Sequence, residues 1–430
     1  MNYYKRTADA LLQDLLDAFG AVLIEGPKWC GKTTTASQLA NSILRMQDPS
    51  MREEYLATAK TKPSILLKGD TPRLIDEWQG APMLWDAVRT TVDDRQIPGQ
   101  FILTGSNAVD KSQIHHSGAG RIARLRMLPM SLWESQESTG EVSLKELFNN
   151  PDYDIDGKMS KMTVEDLIFA ASRGGWPASL LARTPKAQLL VAKNYVQTIC
   201  SDDVSGIDGK KRDAKLTSMI LRAYARNVST LVKKKSLLDD VTSSGEVSCH
   251  VDTFDDYVSA LEKLFVIQNI SAWCPAIRSK TAIRSSVKRC FCDPSIPIAL
   301  LGLSPESLSM QLRTFGFIFE QMCIRDLKAY TIDLNSHVSY YHDRYDLEAD
   351  IVLHLEDGRY ALIECKLGSS EIDEGAKHLL ELKRLIQEHN KTEKQVPIRE
   401  PDLLIVMTGG TMAYSRPDGV KVIPLACLKD

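Results

Sequence analysis

Three groups of residues have types and spacings that can do chemistry. The first is Gly26-Pro27-Lys28-Trp29-Cys30-Gly31-Lys32-Thr33, set directly behind the apolar run Ala21-Val22-Leu23-Ile24. Glycines at both ends let successive backbone N–H groups curl around an anion, and a helix opened by Thr34 turns its positive end to the same anion. Lys32 is expected to reach the β- and γ-phosphates of a nucleoside triphosphate. The Thr33 hydroxyl would complete a Mg2+ shell, with Lys28 as a spare cation. Cys30 is either a small residue facing the adjacent strand or a redox brake on the loop.

The second group supplies what a phosphate loop needs to hydrolyse its ligand. Arg73-Leu74-Ile75-Asp76-Glu77-Trp78 reads as a short strand ending in two carboxylates, Asp76 as metal partner and Glu77 as the base that polarises the attacking water. Phe101-Ile102-Leu103-Thr104-Gly105-Ser106-Asn107 reads as a third strand, with Ser106 and Asn107 competing to sense the γ-phosphate or hold the lytic water. Further on, arginines alternate with apolar residues from Gly120 to Met130, a strand pattern. Arg121 is the candidate for stabilising the transferring phosphate, within the chain or as an arginine finger in a neighbouring subunit. A solvated strand face is the other reading of the same residues.

The third group lies far along the chain. Asp350 to Leu355, the turn Glu356-Asp357-Gly358-Arg359, and Tyr360 to Lys366 form a hairpin pattern. Side chains alternate faces along a strand, so Glu364 and Lys366 share one face, Cys365 takes the other, and Asp350 on the paired strand can join the acid and the amine. Two carboxylates can hold Mg2+ or Mn2+ and a lysine can orient water, a set suited to phosphodiester hydrolysis. Glu320, on an upstream helix, is a further acid or the partner of an arginine.

The elements that position these groups follow from composition and periodicity. At 430 residues the chain exceeds one comfortable core, so two to four domains are expected. With 53 Lys+Arg against 56 Asp+Glu, the net charge of -3 announces no nucleic-acid binder, and any basic surface must be local. Nine cysteines without a CxxC pair fit reduced thiols in a cytoplasmic protein and argue against structural zinc. No run approaches the ~20 apolar residues of a membrane span, so no membrane is expected.

A polar stretch from about Ser135 to Thr163 reads as a connection, and amphipathic patterns at Val164–Ser172 and Ala187–Ile199 suit a helical lid. Between Arg212 and Ile296, three helical patterns precede two strand patterns, Phe265–Trp273 and Val287–Cys292, the order of a winged helix. Its third helix, His250–Leu264, carries Asp252, Asp255, Asp256 and Glu262, a poor face for a DNA groove. The wing brings Arg278, Lys280, Arg284, Lys288 and Arg289 together, either to grip a phosphate backbone or as a solvated hairpin or interdomain contact.

In this order the features resemble a prokaryotic family of AAA+-like ATPases whose C-terminal part is a domain of uncharacterised function. Besides the phosphate loop, the resemblance is carried by Leu-Ile-Asp-Glu, Leu-Thr-Gly-Ser, Gly-Arg, Leu128 to Glu134, Arg-Gly-Gly-Trp-Pro, Cys-Asp-Pro and Glu-Ala-Asp with Ile-Glu-Cys-Lys. It implies an α/β P-loop NTPase core at residues 1–140, a helical lid at 141–211 and a winged-helix-like domain at 212–300. At 301–430 it implies a restriction-endonuclease-like fold similar to PD-(D/E)xK nucleases, with Asp350, Glu364 and Lys366 as a related site. ATP and Mg2+ are the expected cofactors; DNA, a protein partner and further copies of the chain are candidate partners. Three functions compete: an ATP-driven enzyme acting on nucleic acid, a nucleotide-controlled scaffold with an inactive nuclease-like domain, and a plain ATPase with structural appendages.

Overall fold

The computed structural model describes residues 3–108, 114, 116–207, 209–243, 245–274, 286–392 and 397–430. The chain divides into two compact units, one of Met1–Pro129 with Lys263–Phe265, the other of Met130–Glu262 with Val266–Asp430.

The first unit is built on a parallel sheet of β1 (Ala21–Glu25), β2 (Ser42–Arg45), β3 (Arg73–Asp76), β4 (Phe101–Gly105) and β5 (Ile122–Arg126), ordered β2-β3-β4-β1-β5. β1 and β4 are buried along their whole length, as expected where helices cover both faces of a parallel sheet. One face packs Leu23, Ile75, Phe101 and Leu103 against Trp85 and Val88 of the helix Met83–Arg95. Because β4 lies between β1 and β3, the tips of all three strands open on one crevice at the carboxyl end of the sheet, where such folds bind ligands.

The second unit opens with β6 (Val142–Ser143) and continues through helices. Val164–Arg173 is fixed at its start by a capping box between Thr163 and Asp166, and Pro185–Thr198 runs into a π-turn over the acidic Ile199–Asp203. Three helices, Ala214–Arg226, Lys234–Thr242 and Val251–Lys263, precede two segments joined by antiparallel bridges, Ile267 to Phe291 and Ile270 to Lys288.

A six-stranded sheet follows: β7 (His337–His342), β8 (Glu348–His354), β9 (Tyr360–Lys366), β10 (Leu403–Thr408), β11 (Tyr414–Ser415) and β12 (Lys421–Pro424), ordered β11-β12-β10-β9-β8-β7. β7, β8 and β9 form an antiparallel meander, and β10 runs parallel to β9 after a crossover through the helix Ile372–Thr392. That helix lays Ile372, Ala376, Leu379, Leu382 and Ile386 on Val352, Leu362, Leu404 and Val406, a stripe at helical spacing on one face of the sheet. The helix Leu312–Tyr330 packs against β7, β8 and β9 and is buried along most of its length. β13 (Leu428–Lys429) pairs with β6.

Candidate functional site

Gly26 leaves β1 at φ 154°, and a Cβ there would lie 2.1 Å from the Met127 carbonyl oxygen, so the turn into the loop requires glycine. Gly31, at φ 102°, opens the helix Lys32–Leu39, which includes Thr33 and Thr34; Trp29 stands exposed between. Lys32 is buried, and its ammonium donates to the carbonyls of Gly26 (3.0 Å) and Pro27 (2.8 Å), so the charge is held at the loop. Cys30 is buried with its thiol 3.9 Å from the Met127 carbonyl, in keeping with a packing role. Sequence reasoning missed Arg6, a buried guanidinium that donates to the carbonyls of Cys30 (2.8 Å) and Leu128 (2.7 Å) and braces the loop from behind.

At the mouth of the crevice the Thr33 hydroxyl donates to Asp76 Oδ1 at 2.6 Å, and the Thr104 hydroxyl donates to the same oxygen at 2.7 Å. Thr104 was also missed, although its place in the third strand, next to the carboxylate strand, was the available signal. Hydroxyl and carboxylate oxygens are the hard donors Mg2+ accepts, so Thr33 and Asp76 fit that ion.

Glu77 sits just past β3 in the left-handed region, φ 56° and ψ 48°, and its N–H donates to Thr104 Oγ1 at 3.2 Å. Its carboxylate meets the Gln79 amide and, at 3.4 Å, the Ser106 hydroxyl. Burial raises its pKa above the ordinary value, partly opposed by the charge of Lys32. Ser106 and Asn107, equal candidates by sequence, part here. Ser106 reaches Glu77, whereas Asn107 Oδ1 is buried without a hydrogen-bond partner.

Arg121 falls at the wrong end of its strand for a role in its own site. β5 pairs with β1 in parallel register, Ala21 opposite Ile122 and Glu25 opposite Arg126, so the phosphate loop follows the far end. Four residues of strand separate the two ends, about 13 Å, and Arg121 is engaged with Asp93 at 2.8 Å. Within this chain the arginine therefore does not reach the crevice.

The C-terminal group does come together. β8 and β9 pair Ile351 with Ile363, which carries Asp350 alongside Glu364, and Asp350 Oδ2 accepts from the Cys365 N–H at 2.8 Å. Glu364 is fully buried beneath the helix Ile372–Thr392. There a Cβ on Gly375 would lie 3.2 Å from the Glu364 Cβ, so the missing side chain lets helix and strand close over the pair. Lys366 Nζ is 3.0 Å from Glu364 Oε2 as an ion pair without hydrogen-bond alignment, and His378 Nδ1 is 3.8 Å from the same oxygen. Burial first, then the charge of Asp350, pushes the Glu364 carboxyl up to about 9.

A lysine that the sequence placed on a basic wing completes this cluster. Lys288 is buried; its ammonium is 2.5 Å from Glu320 Oε1, 2.9 Å from the Asp350 carbonyl and 3.8 Å from Asp350 Oδ1. Glu320 thus has a lysine, not an arginine, as its partner. Arg289 is buried too, donating to the Val232 carbonyl and the Tyr224 hydroxyl. Neither residue offers a surface to a phosphate backbone, because each is consumed in folding the unit; Arg278, Lys280 and Arg284 lie outside the described residues. Each of the expected ion ligands has a lysine close by, Lys288 at Asp350 (3.8 Å) and Lys366 at Glu364 (3.0 Å). Among the described residues no group of three or more His, Cys, Asp or Glu is arranged to hold a metal.

The remaining motifs meet in a second buried network. Arg325 binds Asp293 (3.1 Å) and Asp326 (2.6 Å); Asp326 accepts from the Leu132 N–H, Asp293 from the Gly175 N–H, and Ser295 links Asp293 to the Trp176 indole. The stretches Leu128 to Glu134, Arg173 to Pro177 and Cys292 to Pro294 are therefore joints of the scaffold around the helix Leu312–Tyr330.

Three families match the chain in succession: the AAA domain at residues 18–136, a domain of unknown function (DUF8612) at 164–307, and another (DUF4143) at 315–428. The chain is similar to uncharacterised proteins of Mycobacterium tuberculosis and Mycobacterium bovis, each 24% identical over 366 residues, 83% of this chain and 72% of the relative. Among solved structures, a Walker-type ATPase of Pyrococcus abyssi aligns with TM-score 0.41 at 13% identity, over 70% of this chain and 96% of that one. A structure of the Drosophila ORC bound to DNA aligns with TM-score 0.16 at 14% identity, over 71% of this chain and 84% of that one. No helix among the described residues is long and apolar enough to cross a membrane. The crevice of the first unit lies within the span that matches the AAA domain, and that match supports an AAA-like, ATP-binding P-loop NTPase domain there.

Proposed function

We propose that this chain is a Mg2+-dependent ATPase whose nucleotide cycle controls a C-terminal nuclease-like domain. The observation that carries the catalytic half is the meeting of Thr33, Thr104 and Asp76 on one carboxylate oxygen beside Glu77. Lys32 exchanges its two loop carbonyls for phosphate oxygens, Glu77 in its ionised form takes a proton from the attacking water, and Ser106 holds the water against it. A bound Mg2+ would neutralise phosphate charge and would be held by Thr33 and Asp76. Arg121 serves only from a second copy of the chain, which makes a homo-oligomer part of this reading.

The C-terminal half rests on the order helix, three antiparallel strands, helix and parallel strand, and on Asp350, Glu364 and Lys366 sharing one corner of it. The wing and the lid are read as a winged-helix-like part and a helical part between the two, and DNA as the substrate. A second reading, a scaffold that binds a protein partner through an inactive nuclease-like domain, is favoured by Lys288 at Asp350. The test incubates pure protein with branched, single-stranded and duplex DNA and Mg2+ or Mn2+, with and without ATP, beside Lys32→Ala and Glu364→Ala. Cleavage lost in Glu364→Ala supports the nuclease. ATP hydrolysis without cleavage under any condition leaves the scaffold.

A further inference from the structure

We infer that Lys288 is the resident cation of the C-terminal cluster and that Asp350 does not ligate a divalent metal ion. The inference rests on reading this cluster as the domain's site, and it departs from the metal dependence that the nuclease-like resemblance implies.

The geometry is that of a closed ionic lock. An ammonium has three donors, and here it meets a carboxylate oxygen of Glu320 and the main-chain oxygen of Asp350, with Asp350 Oδ1 3.8 Å away. The Tyr340 ring lies 5.6 Å away as a fourth, weaker neighbour. The lysine cannot readily withdraw, because its own backbone is paired with Ile270 in both directions, at 2.9 and 3.2 Å. The other oxygen of Asp350 is spent on the Cys365 amide. A divalent ion bound at ~2.1 Å from Asp350 would face a fixed positive charge on one side and the Lys366 ammonium of the Glu364 pair nearby. Both lysines are brought in by folding, one from the segment after residue 286 and one from β9, so two cations stand among the three acids of the cluster before any ligand arrives.

The experiment reads Mn2+ itself by electron paramagnetic resonance, in nucleotide-free full-length protein first stripped with a chelator. The wild type and Asp350→Asn, whose amide oxygen can still accept from Cys365, are expected to bind Mn2+ identically. Lys288→Met should gain one equivalent of bound Mn2+, and Lys288→Met with Asp350→Asn should lose it again. A Mn2+ ion bound by the wild type and removed by Asp350→Asn overturns the inference, as does a folded Lys288→Met that gains none. Should Lys288→Met not fold, the comparison of wild type with Asp350→Asn decides alone. Absence of DNA cleavage sinks the nuclease reading and leaves this result untouched, so the two failures are distinguishable.

Discussion

The two charged corners of this molecule are made of the same residue types and differ in where the counter-charge comes from. In the first unit Asp76 and Glu77 are met by hydroxyls and amides, and Lys32 is lent to two main-chain carbonyls, a partnership that a phosphate can replace. In the second, Glu320 and Asp350 share a buried lysine, and Glu364, its carboxyl raised by burial, lies 3.0 Å from Lys366. A carboxylate that meets neutral donors remains available to a cation, whereas one that meets an ammonium in the interior has already been matched. An Asp/Glu/Lys set therefore names a chemistry only after its neighbours are known.

The comparison can be broken most forcefully at the first corner. Glu77→Gln should bind ATP yet lose roughly 100-fold or more in kcat, the scale of a general base, measured by steady-state phosphate release against nucleotide affinity. An equal loss of affinity would remove Glu77 from the base role. At the second corner Lys288→Met should destabilise the second unit by about 3–5 kcal/mol, the cost of stranding buried charge. Denaturant unfolding should show Glu320→Gln in the same chain restoring part of it.

A further effect separates the corners by pH. Glu364 ionises near 4.5 when unfolded and is held protonated up to about 9 when folded, so folding costs more as pH rises through that interval. Glu364→Gln should therefore raise the melting temperature relative to wild type, with a gap that widens from pH 5 to pH 9; a gap that narrows would contradict the raised pKa. Glu77, also raised by burial, must be ionised to act. The acid limb of ATP hydrolysis should accordingly lie above that of an ordinary glutamate and vanish from the residual rate of Glu77→Gln. Smallest of all, Arg121→Ala should leave ATP affinity unchanged in titration, because the residue stands at the opposite end of β5 from the loop.

Local patterns made much of this legible. The loop, the carboxylates at the end of β3 and the hairpin of β8 and β9 lie in short segments where one turn or a period of two fixes where side chains go. Thr104 lies in β4 itself and reaches Asp76, whereas Ser106 and Asn107, the residues the sequence favours, lie past the strand's end. For Arg121 the alternating strand shows its faces but not which of its ends adjoins the loop, so only the register of β5 on β1 separates a role within the chain from one in a neighbouring subunit. Lys288 and Arg289 are buried for a related reason the sequence does not show: they look like surface charges when only their neighbours in sequence are counted.

The sequence alone marked the phosphate loop, since glycines, a lysine and a threonine at these spacings need only local backbone geometry to form it, whereas the meeting of Thr33 with Asp76 depends on the order of the strands. It also determined the hairpin that brings Asp350 to Glu364. Only the tertiary structure decided that Arg6 braces the loop, that the network of Arg325 knits three distant motifs together, and that Lys288 reaches Asp350. Each of those depends on burying a charge against groups tens to hundreds of residues away, and burial is set by the packing of the whole unit and not by any segment of it.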